Sequence, residues 1–335
     1  MTRNFHMDRC VKMCATTTST SFAYKAVKAN KFGTKVKRIA LKVKSTTNEN
    51  DDMGSHARVI VIVPGFLASA DAYAEMCSAL RLKLEKRGGL KVDARVVPVT
   101  KVDWWPTLFG KDFSSITDKI DASIREASSV SRTGRVGVVG HSAGGWLVRL
   151  WMGEKRYCGR RYSGAHMVDT LLTLGTPHAS AEAYPLGRVV EKRENEDNEG
   201  VPEEARGSSL AFTNFHYPGA FFDSTRYVNV VGDVDPEGAD SFDLSDVLDA
   251  KKSSRGGESV MDRVSRAYRA WIFGVSYAAN CRSARVRGDG VTPITTAHAL
   301  DGAEEIILRG VYHGNAQGSP WYGSPEIVDD WIRFL

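Results

Sequence analysis

The chain has 335 residues, of which 42% are hydrophobic and 25% charged, a composition that excludes collagen, coiled-coil and wholly disordered proteins. Its formal net charge is +5, but residues 1–48 alone carry eight Lys and three Arg against one Asp, a net of +10. The remaining residues therefore have a net charge of −5, and they do not favour a nucleic-acid partner. The basic excess belongs to the N-terminal segment.

Residues 1–50 have the composition of a transit peptide. Met13–Ser21 is rich in Ser and Thr, and Phe22–Lys44 mixes Lys and Arg with apolar residues without one acid. Such basic, acid-poor segments direct proteins to plastids or mitochondria. We predict a disordered leader and a plastid location, with the mitochondrion or the cytoplasm as alternatives.

The sequence contains no stretch of 18 apolar residues, so it predicts no transmembrane helix. Its five cysteines show no C-x-x-C spacing. This pattern favours a reducing compartment and gives no sign of a zinc site.

From residue 57 onward, short β-branched runs alternate with helical patterns. The predicted strands are Ala57–Val63, Val92–Val99, Arg135–Val139, Thr170–Leu174, Arg226–Val231 and Glu305–Leu308. The predicted helices are Ala70–Lys86, Phe113–Ser128, Ala143–Met152 and Ile327–Phe334. This alternation predicts a single α/β domain at 57–335, with a mostly parallel central sheet and helices on both faces.

Two insertions interrupt the alternation, at about residues 180–225 and 234–287. In the first, Glu191–Arg206 has seven acids and three bases, so we expect a solvated loop. The second contains Ser259–Ile272, a predicted amphipathic helix. Because long insertions in compact domains often form lids, we hypothesise that Glu191–Phe222 covers the active site, with Ser208–Phe222 as a mobile part.

Aromatic residues lie on predicted loops on both sides of the core. They can contact acyl chains or a lipid surface, or they can pack in the core beneath the loops. The sequence leaves these two interpretations open. The residues are Trp104, Trp105, Phe109, Tyr217, Phe221 and Phe222.

Residues 140–144 read G-H-S-A-G, a G-x-S-x-G motif between a predicted buried strand and a predicted helix. In a nucleophile elbow, a serine occupies a strained turn that exposes its hydroxyl above the sheet, and the flanking glycines avoid collisions with the backbone. We therefore expect Ser142 to be a nucleophile, with Gly140 and Gly144 forming the elbow. His141 occupies an elbow position whose side chain points away from the nucleophile.

A serine nucleophile needs a histidine base and a carboxylate that orients the base. His313 follows the last strand region and is favoured as the base, with His298 as the alternative. Asp289 lies between two glycines, 24 residues before His313, and is favoured as the acid. Asp233 and Asp235, which follow a predicted strand, stay open as alternatives.

The negative charge that develops on the carbonyl oxygen requires backbone N–H donors. Ala143 follows the nucleophile at the start of a helix, so its N–H is one candidate donor. The second donor is expected in the loop after the first strand, where we favour Phe66 and name Leu67 as the next candidate.

Five short motifs occur in the order PGF, GHSAGG, LGTPH, GDGVTP and VYHG. Together they resemble the lipase and esterase branch of the α/β-hydrolase fold, and they are most similar to the plant group related to GPI inositol-deacylases. The resemblance covers about residues 57–335. It implies that Ser142, Asp289 and His313 form the catalytic triad and that Phe66 and Ala143 form the oxyanion hole. It also implies that His178, in LGTPH, shapes the pocket.

The sequence thus predicts a serine hydrolase that cleaves acyl esters, of lipids in particular, through an acyl-enzyme without a metal or an organic cofactor. We expect a small-molecule or lipid substrate and peripheral membrane contact. True inositol-deacylases are membrane-anchored, whereas this sequence predicts a transit peptide and no transmembrane helix. GPI itself is therefore not the expected substrate. The alternatives are an acyltransferase or thioesterase on the same triad, and a non-catalytic binding protein with the same fold.

Overall fold

The computed structural model describes residues 58–88, 91–181, 208–234 and 272–335. The predicted leader, the acidic segment Glu191–Arg206 and Asp235 lie outside these ranges, as does the predicted helix at 259–272 apart from its last residue. The leader and its destination therefore stay predictions.

Six strands in the described ranges form one sheet in which every adjacent pair is parallel. Their order across the sheet is β2-β1-β3-β4-β5-β6. The strands are β1 (Arg58–Val63), β2 (Val92–Val96), β3 (Val136–His141), β4 (Val168–Leu174), β5 (Arg226–Asp233) and β6 (Glu304–Arg309). The prediction of a mostly parallel sheet is confirmed, and only β2 is clearly shorter than predicted.

Helices follow the strands. The α-helices are α1 (Ala74–Gly88), α2 (Trp105–Leu108), α3 (Ser114–Val130), α4 (Ala143–Met152), α5 (Ser209–His216), α6 (Ile294–Ala297) and α7 (Pro325–Trp331), and residues 272–281 are also helical. Short 3₁₀ turns occupy Ala70–Tyr73, Lys101–Trp104, Gly164–Met167 and Ile332–Phe334. None of the helices in the described ranges is long and apolar enough to cross a bilayer.

The sheet is covered on both faces, as its apolar strands predict. In β1, Val59, Val61 and Val63 pack with α3 and α4, whereas Ile60 and Ile62 pack with α1 and α7 on the opposite face. All five side chains are fully buried. Burial of each such side chain stabilises the fold by about 1.5–3 kcal/mol, which explains why a continuous β-branched run forms this strand.

Ser208–Phe222, the segment predicted as the mobile part of a lid, packs several of its side chains into the core. Ser208 caps α5 by accepting a hydrogen bond from the Ala211 N–H at 2.9 Å, and Leu210 and Phe212 are buried. Tyr217, which is also buried, accepts a hydrogen bond from the N–H of Lys155. Several buried residues of Ser208–Phe222 therefore cover α4, and the hypothesis that this segment is part of a lid stays a prediction.

The strand order places a crevice at one end of the sheet. The chain leaves β1 for the edge strand β2 and returns on the other side of β1 to form β3. Loops that follow adjacent parallel strands in such an arrangement diverge and open a crevice outside their carboxyl ends. The loop at Pro64–Ala68 and the G-x-S-x-G turn flank this position.

Candidate active site

Ser142 occupies the sharp turn between β3 and α4, with φ 51° and ψ −127°. This conformation is rare for a residue with a side chain and costs roughly 1–3 kcal/mol. The turn is held by a 2.8 Å hydrogen bond from the Ser142 N–H to the carbonyl oxygen of Leu174. The strain keeps a half-buried serine at the crevice, as a nucleophile elbow requires.

The glycines of the motif are required by close packing. A Cβ on Gly144 would lie 2.4 Å from the carbonyl oxygen of Val63, and one on Gly140 would lie 2.4 Å from Cα of Gly145. Real Cβ atoms do not approach backbone so closely. The helix that begins after Ser142 can therefore start against the end of β1 only with glycine at these positions.

Asp289 and His313 form a hydrogen-bonded pair. Nδ1 of His313 lies 2.7 Å from Oδ2 of Asp289, and the His313 N–H donates to the Asp289 carbonyl oxygen at 2.8 Å. Asp289 is completely buried, and His313 is 7% exposed. Asp289 thus holds the His313 ring through its carboxylate and the His313 backbone through its carbonyl oxygen. The opposite ring nitrogen is left to accept a proton.

Three further donors hold the Asp289 carboxylate. Oδ1 accepts from the N–H groups of Val291 and Thr292, and Oδ2 also accepts from the Tyr322 hydroxyl at 2.6 Å. Burial and the adjacent Asp289 raise the pKa of Tyr322 well above its ordinary value, so it remains a donor. Tyr322 is not predicted from the sequence, because a tyrosine in a Pro- and Gly-rich tail carries no signal for contact with a distant carboxylate.

Gly175 brings the elbow and the pair together. It follows Leu174, whose carbonyl accepts from Ser142, and a Cβ on Gly175 would lie 2.4 Å from Oδ2 of Asp289 and 3.0 Å from Nδ1 of His313. Its φ of 55° also favours glycine. The backbone that holds Ser142 can thus lie against the side chains of Asp289 and His313 because residue 175 is a glycine.

The alternative acid and base have other partners. The buried carboxylate of Asp233 pairs with Arg287, whose Nε lies 3.1 Å from Oδ1. Nδ1 of His298 lies 3.2 Å from Glu305. The structure therefore favours Asp289 and His313 over Asp233 and His298.

His141 links the elbow to the loops on either side. Its Nε2 lies 2.9 Å from the carbonyl oxygen of His313, and its Nδ1 lies 2.6 Å from the Tyr73 hydroxyl, which accepts from the Gly65 N–H. Because a carbonyl only accepts, Nε2 carries the proton and Nδ1 accepts from Tyr73. Burial, followed by repulsion from His313, lowers the pKa of His141 to about 3, so this ring stays neutral.

The predicted oxyanion donors flank the serine. Ala143 is the first residue of α4, and Gly65, which precedes Phe66, packs so closely that a Cβ on it would lie 2.8 Å from Cβ of Ser142. Neither the Phe66 nor the Ala143 N–H takes part in the backbone hydrogen bonds of the described residues. Leu67 has a φ of 58° and is 39% exposed, so it lies at the surface of this loop.

His178 lies in a buried polar cluster. Its Nδ1 is 3.2 Å from Nη1 of Arg149 and its Nε2 is 3.3 Å from the Thr173 hydroxyl. Burial and then the Arg149 charge lower the pKa of His178 well below its ordinary value, and burial lowers the pKa of Arg149 to about 10. These contacts fit a structural role for His178 beneath the site.

The described residues contain no group of three His, Cys, Asp or Glu side chains that could hold a metal ion.

Comparison with known proteins gives one family match, over part of the chain. Residues 57–193 match the PGAP1-like alpha/beta domain. A search of curated proteins finds no match.

Similar solved structures include Aspergillus fumigatus lipase B, at 17% identity and a TM-score of 0.27, covering 37% of this chain and 25% of that one. Phospholipase PlaB from Legionella pneumophila is 18% identical over 57% of this chain and 42% of its own, with a TM-score of 0.34. A bifunctional GH43-CE protein of Bacteroides eggerthii is 12% identical over 84% of this chain and 34% of its own, with a TM-score of 0.40. The chain spans less than half of each of these proteins.

The matched range contains the first three of the five motifs, PGF, GHSAGG and LGTPH. Residues 57–193 are therefore similar to the PGAP1-like alpha/beta domain, and the chain has an α/β-hydrolase fold.

Proposed function

We propose that the protein is a carboxylic ester hydrolase that acts through an acyl-enzyme on Ser142. The observation that carries the proposal is the buried His313–Asp289 pair, with 2.7 Å between Nδ1 and Oδ2, beside the strained turn of Ser142. A binding protein gains nothing from a strained serine and a buried carboxylate with four donors. A serine esterase needs both.

In the proposed first step, Nε2 of His313 takes the proton of the Ser142 hydroxyl while Oγ attacks the ester carbonyl carbon. The negative charge moves to the former carbonyl oxygen, where the N–H groups of Phe66 and Ala143 stabilise it. When the tetrahedral intermediate collapses, the imidazolium donates its proton to the departing alkoxide, and the alcohol leaves.

In the second step, water attacks the acyl-enzyme and His313 accepts its proton. Collapse of this intermediate releases the carboxylic acid and returns the proton to Oγ of Ser142. Asp289 holds the imidazolium in place throughout. Because His141 stays neutral, it adds no second positive charge beside the His313 ring.

We propose lipid esters as the substrate class and peripheral membrane contact as the means of reaching them. Exposed apolar side chains near the elbow support this proposal, since Leu67, Val102, Trp105 and Phe109 are all more than one third exposed. Large apolar side chains in solvent beside a crevice suit substrates that are themselves apolar.

The test is hydrolysis of p-nitrophenyl esters of increasing acyl length by the full chain. We expect a burst of p-nitrophenol as the acyl-enzyme forms, and a loss of at least about 10³-fold in kcat for Ser142→Ala. Ser78→Ala is the matched control, because Ser78 is an exposed serine on α1. Hydrolysis that survives Ser142→Ala would refute the proposal.

Residues 1–50 are proposed to direct the chain to the plastid. Their basic, acid-poor composition supports this. A fluorescent protein fused behind residues 1–50 should enter isolated plastids, and its exclusion from them would overturn the proposal.

A further inference from the structure

Four large apolar side chains form an exposed surface next to the candidate active site. Val102, Trp105 and Phe109 are 62%, 56% and 82% exposed, and their spacing of three and four residues places them on one helical face. Leu67, on the neighbouring loop, is 39% exposed. We call these four residues the apolar rim.

The other face of the same helical segment is anchored in the protein. Trp104 is completely buried, donates from Nε1 to the carbonyl oxygen of Ala68 at 2.9 Å, and packs edge-on against Phe66. Thr107 is also buried, and its hydroxyl donates to the Trp104 carbonyl. The segment is therefore held in place with its apolar face outward.

The contacts of Trp104 place the apolar rim beside Ser142. The residues that bind Trp104 belong to the loop at 65–68, and Gly65 of this loop packs against Cβ of Ser142. A surface that contacted the rim would thus lie at the entrance to the proposed oxyanion hole.

The charges around the rim favour an anionic partner. Lys101 and Lys111 are exposed at its two ends. The two acids of the segment face other groups, since Asp103 pairs with Lys119 at 2.7 Å, and Asp112 accepts from the Ser114 N–H near Arg160. Asp71 is an exposed acid near Lys101. Among the described residues at the rim, the two exposed lysines outnumber the one exposed acid, which leaves a positive balance.

We infer that the apolar rim inserts into the surface of an anionic lipid bilayer. This inference rests on the proposed function, because it supplies the route by which a lipid ester reaches Ser142. Exposed aromatics between lysines are the pattern by which proteins lie at membrane interfaces. The rim covers roughly 400–500 Å², given about 150–250 Å² for each aromatic side chain, less than the roughly 800 Å² per partner of a stable dimer.

The experiment uses the full chain with Ser142→Ala, so that the lipids are not hydrolysed, and with Trp271→Phe, because this tryptophan lies outside the described residues and must not contribute to the signal. Vesicles contain phosphatidylcholine and phosphatidylglycerol in equal parts, with or without bromine on the acyl chains, which quenches tryptophan on contact. Trp105 is exposed, whereas the other tryptophans of the described residues are buried, namely Trp104, Trp146, Trp151, Trp321 and Trp331.

We expect brominated vesicles to quench the fluorescence, and Trp105→Phe to abolish most of the quenching. Electrostatic adhesion by residues 1–48 alone would not bring Trp105 to the acyl chains. Phe109→Ser should weaken partition into the vesicles about tenfold, since a buried aromatic side chain is lost. Leu82→Ser, which removes a 70% exposed leucine on α1, should leave partition unchanged.

Quenching that persists in Trp105→Phe, or equal partition for Phe109→Ser and Leu82→Ser, would overturn the inference. A dimer in sedimentation that Phe109→Ser converts to a monomer would also overturn it, because the rim would then contact a second copy. Hydrolysis of a soluble short-chain ester by the unmodified chain separates the two proposals. If that hydrolysis is absent while vesicle contact persists, the proposed function is wrong, and the inference that the apolar rim inserts into the bilayer is retained.

Discussion

The Tyr322 hydroxyl donates to Oδ2 of Asp289 at 2.6 Å, the same carboxylate oxygen that lies 2.7 Å from Nδ1 of His313. The tyrosine oxygen in turn accepts from the Gly232 N–H at 2.6 Å. The tail before α7 is thereby connected to the proposed acid and to the end of β5. This contact fixes Oδ2 in the position from which it can orient the imidazole.

Tyr322→Phe removes one donor to a buried carboxylate and leaves the Gly232 N–H without its acceptor. A hydrogen bond to a charged group is worth about 1.5–3 kcal/mol, so we expect kcat for a soluble ester to fall at least about tenfold. KM should stay nearly unchanged, because Tyr322 lies behind Asp289 and not at the crevice. Steady-state kinetics over a range of substrate concentrations measure kcat and KM separately.

Tyr277→Phe is the matched control. Its hydroxyl accepts from the Gly290 N–H at 2.7 Å, so this variant also loses a hydrogen bond to a backbone amide but keeps the Tyr322 donor to Asp289. Equal losses of kcat in the two variants would show that Tyr322 acts only through stability.

The assignment of the acid is tested by two isosteric substitutions. Asp289→Asn should lower kcat about 10³–10⁴-fold, because an amide can no longer hold the imidazole with a proton on Nδ1. Asp233→Asn removes only the charge that pairs with Arg287 and should change kcat little. The opposite ranking would reassign the acid to Asp233.

Gly175→Ala should be one of the most damaging single-methyl changes in the site. The new Cβ would lie 2.4 Å from Oδ2 of Asp289, so the His313–Asp289 pair must separate. We expect kcat to fall at least about 100-fold, since displacement of a catalytic group by about 1 Å has this effect.

Gly110→Ala supplies the control for backbone strain. Gly110 also has a positive φ, at 79°, but a Cβ there meets nothing within 4 Å. This variant should lose only about 1 kcal/mol of unfolding free energy and retain its activity. If both alanine variants keep kcat, the close approach at Gly175 is not required for catalysis.

His141 should make the fold sensitive to acid. Its pKa is about 3 in the fold against 6.5 for an unperturbed histidine, so below pH 6.5 the unfolded chain takes up a proton that the folded chain does not. The stabilising contribution of neutral His141 is present above pH 6.5 and is lost as the pH falls toward 3. Between about pH 7.5 and about pH 5 this loss amounts to about 2 kcal/mol.

Urea unfolding of His141→Gln at the two pH values measures this effect. Glutamine does not titrate and can still donate to the His313 carbonyl, so the decrease in unfolding free energy should be smaller by about 2 kcal/mol than in the unmodified chain. His166→Gln, at an exposed histidine, should leave the decrease unchanged. Equal pH dependence in all three proteins would contradict the buried neutral state of His141.

The sequence predicted the sheet well because strands buried on both faces leave a continuous β-branched run such as that of β1. It predicted the elbow because close packing of α4 against Val63 permits only glycine at position 144. The packing of α5 escaped prediction. Ser208–Phe222 is rich in aromatic residues, and composition alone does not distinguish a core segment from a lid.

The sequence also did not predict the side chains that contact the site from distant segments of the chain. Tyr322 and Tyr73 contact Asp289 and His141 from segments 33 and 68 residues away, and no spacing in the sequence reports such contacts. Asp233 was an alternative acid because it follows a predicted strand. In the folded chain Asp233 pairs with Arg287, whereas Asp289 contacts His313.

The central claim, that Ser142 is an activated nucleophile, is tested most directly by labelling the folded full chain with a fluorophosphonate, which reacts with activated serines. We expect one label, mapped by peptide mass spectrometry to Ser142, absent from Ser142→Ala and from heat-unfolded protein, and strongly reduced in Asp289→Asn. Failure of the folded chain to react, or an undiminished label in Ser142→Ala, would contradict the account.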